Sequence, residues 1–99
     1  MQVTKGQGMR TENVEIYSDQ SNAVVLRYLG RKFPGVLVQG DTLYALFQQA
    51  DEACAEMSGT RLPEGLSELR GKLREMVDHY KLVLGVHGVP LPFHEKSSG

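Results

Sequence analysis

Val14-Glu15-Ile16-Tyr17 alternates apolar and polar positions, and after the turn cluster Ser18-Asp19-Gln20-Ser21-Asn22 the alternation resumes from Ala23 to Leu29, with Val24, Leu26 and Tyr28 on one face. A period of two sends successive side chains to opposite faces of a strand, so these runs predict a hairpin. Gly30-Arg31-Lys32 forms a second turn, and Phe33-Pro34-Gly35 leads into Val36-Leu37-Val38-Gln39, whose unbroken apolar run predicts a third strand buried at least in part on both faces. Pro34 cannot donate to a ladder and belongs at that strand's start or on an edge. Three strands joined by short links make an antiparallel meander.

The period then changes. Gly40-Asp41-Thr42 sets a carboxylate and a hydroxyl before an apolar-periodic run, where either can accept from the free N–H groups of a helix's first turn. Leu43, Leu46, Phe47, Ala50, Ala53, Cys54 and Met57 follow at helical spacing, with Gln48, Asp51, Glu52 and Glu56 opposite, which predicts a helix over 42–57 laid on the sheet. Ser58-Gly59-Thr60 ends it. Pro63 is suited to open a second helix over 63–84, in which Leu66, Leu69, Leu73, Met76, Val77, Tyr80, Val83 and Leu84 form a nearly heptad stripe. Gly85 or Gly88 stops it, and Glu68 with Lys72 and Arg74 with Asp78 stand one turn apart with opposite sign. The expected organisation is a flexible arm over 1–11, one domain over 12–88 and an extended tail over 89–99.

Charge alters this picture only when divided along the chain. Eleven Lys and Arg against 12 Asp and Glu leave a net −1, without the basic excess of a DNA binder. Residues 41–60 carry −4 and no cation, between +2 on residues 1–40 and +1 on residues 61–99, a polarity suited to a basic partner. At 99 residues there is room for one core, and no apolar run approaches the roughly 20 residues that span a bilayer. With no apolar signal segment at the N-terminus and a single cysteine, the expected location is the cytoplasm.

Candidate chemistry is sparse. Glu75 and His79 lie one turn apart without a further ligand, His87 and His94 fall in or beside the expected tail, and Cys54 lies in the apolar arc as a small hydrophobe. No nucleophile, base and oxyanion donor stand at workable spacing, so the sequence reads as a non-enzyme with no metal or cofactor. Candidate partner-binding residues are Arg27, Arg31, Lys32 and Phe33 at the second turn and Asp51, Glu52 and Glu56 on the first helix. Pro34, Gly35, Gly40, Asp41 and Thr42 form a structural motif that joins strand to helix.

The stretch from Arg31 through Phe33-Pro34-Gly35 and Gly40-Asp41-Thr42-Leu43, with Leu46 and Ala50 in the helix after it, is similar to the core of small bacterial proteins of unknown function and resembles the HicB-like antitoxin module. The late Gly88-Val89-Pro90-Leu91-Pro92 is similar to the segment that closes many such modules. The resemblance covers roughly residues 13–57 and 85–92. It implies a three-stranded antiparallel sheet against a helix, and a surface that neutralises a toxin by covering it. The extra residues from Gly59 to about Glu75 depart from that pattern.

The expectation is an α+β chain with a HicB-like core, its three-stranded antiparallel sheet packed by two helices. Its function is expected to be binding of a protein partner without catalysis, antitoxin-like or immunity-like. The alternative is an RNA- or nucleotide-binding module using Arg27, Arg31 and Lys32. A homodimer through residues 66–84 is expected to cover the stripe that a small sheet leaves over.

Overall fold

The computed structural model describes residues 9–21, 23–57 and 59–95. The first eight residues of the expected arm, the last four of the expected tail, and Asn22 and Ser58 in the expected turns lie outside the described residues. The elements run β1 (Val14–Ser18), β2 (Ala23–Tyr28), β3 (Gly35–Val38), α1 (Gly40–Glu56) and α2 (Glu64–His87). This is the α+β architecture expected, a three-stranded antiparallel sheet followed by two helices. By its contacts the chain divides after Gln39 into two compact units, a sheet and a helical pair.

In the sheet the strand order is β1-β2-β3. Ile16 stands opposite Leu26, Val14 opposite Tyr28, and Val24 opposite Leu37, so these six share one apolar face. The other face carries Glu15 opposite Arg27 and Val25 opposite Val36. A bulge between Ile16 and Ser18 puts Tyr17 out of the register, a common way to end pairing on an outer strand. At the hairpin, Ser21 Oγ accepts from the Ala23 N–H at 3.2 Å. The second turn closes where the Arg31 N–H donates to the Tyr28 carbonyl at 2.9 Å.

Two charged contacts tie β1 down. Arg27 Nε donates to Glu15 Oε1 at 2.6 Å, and the Tyr28 hydroxyl donates to Glu12 Oε1 at 2.9 Å while Arg10 contacts both Tyr28 and Glu12. Hydrogen bonds from Arg10 and then Tyr28 hold the Glu12 carboxyl below its ordinary value, and Arg27 does the same for Glu15. A carboxylate whose folded value is depressed stabilises above its unfolded value near 4.5 and loses that contribution as pH falls through the folded value. Amide exchange at the β1–β2 ladder should therefore lose protection, relative to β2–β3, as the pH is lowered from neutral to below 4.5. Equal protection of the two ladders across that range would refute this role for Glu12 and Glu15.

The helical unit holds the most buried residues described: Val77 at 4% exposure, Cys54 at 5%, Ala50 at 7% and Tyr44 at 9%. α1 packs on α2, burying Tyr44, Ala50 and Cys54 but leaving Leu46 of the expected stripe exposed, and Asp51 reaches Arg70 at 3.7 Å and Arg74 at 3.9 Å across the pair. α1 starts two residues before the expected Thr42, because Gly40 lies directly against the Tyr80 ring and enters the helix there. Asp41 is thus inside the first turn, where a carboxylate favours the positive end of the helix dipole, and its Oδ1 accepts from the Thr42 N–H at 2.8 Å. Pro63 precedes α2, and its carbonyl accepts from the Leu66 and Ser67 N–H groups.

α2 continues through Gly85 and ends at Gly88, whose φ of 68° is open to glycine at little cost. The Gly88 N–H donates to Gly85 and the Val89 N–H to Leu84, a Schellman closure. After it, the chain bends at Pro92 and Phe93 and returns to the helices. Phe93 stacks on Tyr44 with centroids 4.1 Å apart and planes 5° from parallel, and lies 6.3 Å from Tyr80. Lys81 Nζ donates to Glu95 Oε2 at 2.5 Å and seals the return. No helix of the described residues is long and apolar enough to cross a membrane.

Candidate functional site

The β3 run, expected to be buried at least in part on both faces, is exposed along all four residues. β3 is an edge strand, with β2 as its one neighbour in the sheet, and an edge leaves both backbone and side chains accessible on its outer flank. Val36 is 61% exposed and Leu37 50%, while Ile16 on β1 is 58% exposed. Leu26 stands opposite Gly35, and the missing side chain at Gly35 opens a hollow in the apolar face. That hollow of about 340 Å³ is lined by Leu26, Tyr28, Arg31, Phe33, Val36 and Leu37.

The second turn forms the rim. Phe33 is 72% exposed and is the most exposed aromatic ring described, and the Lys32 ammonium sits 5.4 Å from its centroid. Pro34 immediately precedes β3, where its missing donor costs the ladder nothing. Arg27 differs from its neighbours. Its Nε is held by Glu15, and its Nη1 donates to the Arg31 carbonyl at 2.9 Å, so it braces the turn from within the sheet. Arg31 and Lys32 are the cations at the rim. The hollow therefore combines apolar walls, an aromatic lip and two positive charges.

The acidic residues of α1 belong to the helical unit. Asp51 pairs with Arg70 and Arg74, and with Glu52 it borders a groove of about 390 Å³ along Tyr44, Phe47, Val77 and Asp78. Glu56 is exposed at the end of α1. Arg74 reaches Asp51 and lies 5.3 Å over the Phe47 ring. Cys54 is a buried free thiol, His79 and His87 are exposed on α2, and His94 is exposed after it. Among the described residues no group of three His, Cys, Asp or Glu side chains is arranged to hold a metal ion.

The sequence pattern singled out Arg31, Lys32 and Phe33 but not Tyr28, Val36 or Leu37, which complete the hollow. The signal available for them was the shared face of Leu26 and Tyr28, together with an apolar run beginning just after Pro34, an edge residue. A family described as a family of unknown function (DUF6959) matches residues 9–93. No curated protein and no solved structure matches the chain.

Proposed function

The chain belongs to the DUF6959 family, whose function is unknown, and on that footing we propose that it is a non-catalytic binding module that holds one protein partner on its sheet. The observation that carries this reading is the exposed apolar surface of Phe33 and Leu37 at the hollow by Gly35, with Ile16 exposed on the same face of the sheet. Contiguous exposed apolar side chains rimmed by charge are the mark of a protein contact, and an aromatic lip supplies an anchor of the kind that dominates such interfaces. The rim cations Arg31 and Lys32 suit a partner with an apolar patch bordered by carboxylates. The HicB-like stretch from Arg31 to Leu43 supports an antitoxin-like or immunity-like role, in which covering the partner is the whole activity.

The rival is RNA binding at the same turn, and Lys32 beside the exposed Phe33 ring favours it. With Arg27 engaged by Glu15, that reading rests on Arg31 and Lys32. A tagged full-length chain, mixed with lysate of its native host, should retain a stoichiometric protein that Leu37→Glu and Phe33→Ala each release. Both positions are exposed, so circular dichroism should remain that of the parent. Retention of RNA instead, lost in salt and on Arg31→Glu with Lys32→Glu, would replace this reading with the rival. A protein held equally by the parent and both apolar variants would reject it.

A further inference from the structure

The face of the helical pair beside the α1–α2 seam is apolar and exposed. Leu69, Met76 and Val83 are 51%, 56% and 37% exposed and recur every seven residues, so they stand in one row along α2. Leu46 of α1, 42% exposed, extends that row sideways. Between the helices lies a depression of about 380 Å³, lined by Leu46, Gln49, Ala50, Leu69 and Leu73. Beside the row runs a charged line, Glu68, Lys72, Glu75 and His79, at spacings of four, three and four.

We propose that a second copy of this chain occupies this face, with its α2 antiparallel to the first and the two-fold axis between Leu73 and Arg74. The charged line decides the orientation. A parallel copy in register sets Lys72 against Lys72 and Glu75 against Glu75, whereas the antiparallel copy sets Lys72 against Glu75 and Glu68 against His79. The same axis places Met76 of the second copy level with the gap between Leu69 and Leu73, at the mouth of the depression. Met76 then fills a hole whose floor is Ala50, and symmetry makes the contact twice. Methionine is unbranched and adapts to such a gap. The result is a four-helix arrangement.

Sedimentation of the full chain across micromolar concentrations tests this directly. The expected mass is twice the chain's 11.0 kDa. Met76→Lys should weaken association at least about tenfold with an unchanged helical spectrum, since the side chain is exposed in the single copy. Lys72→Glu should weaken it, and Lys72→Glu combined with Glu75→Lys should restore it. Leu37→Glu, on the sheet, should leave the doubled mass intact, which separates this result from the partner test above. A single-chain mass throughout, or a dimer indifferent to Met76→Lys, would overturn the proposal.

Discussion

Phe93→Ala is expected to lower the melting temperature by about 10 °C. Full truncation of a buried phenylalanine costs about 3–5 kcal/mol, and Phe93 is half-buried, so about 2 kcal/mol is the appropriate scale. For a domain of this size each kcal/mol moves the midpoint by about 4–8 °C. The ring is the contact by which the extended segment after Gly88 grips the helical pair: it stacks on Tyr44 at 4.1 Å and neighbours Tyr80 at 6.3 Å. Losing it should also release Glu95 from Lys81, because that exposed pair is too weak to order the segment by itself. Phe93→Leu keeps much of the apolar area but no stacking, and should fall between the parent and Phe93→Ala. Thermal melts of the three chains check this, and a shift under about 2 °C for Phe93→Ala would show that the return contributes little.

The secondary elements were legible because each is written in local periodicity. Val24, Leu26 and Tyr28 share a face at period two, and Ala50 and Cys54 share one at the helical period, and both groupings hold. What local pattern does not contain is which distant residue answers each face. Arg74 stands one turn from Asp78, and spacing suggests that pair, yet its guanidinium reaches across to Asp51 and Phe47 because α1 delivers them. The return of Phe93 onto Tyr44 joins residues far apart in sequence. Pro90 and Pro92 announce only that the chain is extended there, not where it goes. The candidate site divides in the same way. Phe33 and its cations are readable as a turn, but the exposure of Val36 and Leu37 follows from an edge position that an apolar run does not disclose.

Gly40→Ala is expected to destabilise the chain by about 1–2 kcal/mol, against the usual sign of that change in a helix. Glycine is about 1 kcal/mol worse than alanine within a helix, so on propensity alone the substitution should help. Gly40 is buried at the first residue of α1, and a Cβ there would overlap the end of the Tyr80 ring. A flexible side chain would swing aside. Tyr80 is less free, because its ring neighbours Phe93, and Phe93 is stacked on Tyr44. Overpacking of this kind costs about 1–3 kcal/mol, which exceeds the small propensity gain available at a helix's first position. Gly71, in the middle of α2, has nothing within 4 Å of an added Cβ, so Gly71→Ala should stabilise by up to about 1 kcal/mol. Denaturant unfolding of both variants should give opposite signs. In a Tyr80→Leu background the Gly40→Ala penalty should largely vanish, since the ring end that the methyl group meets is gone. A stabilising Gly40→Ala, or a penalty that survives Tyr80→Leu, would mean that the close approach of α1 to α2 at Gly40 is not what selects glycine there.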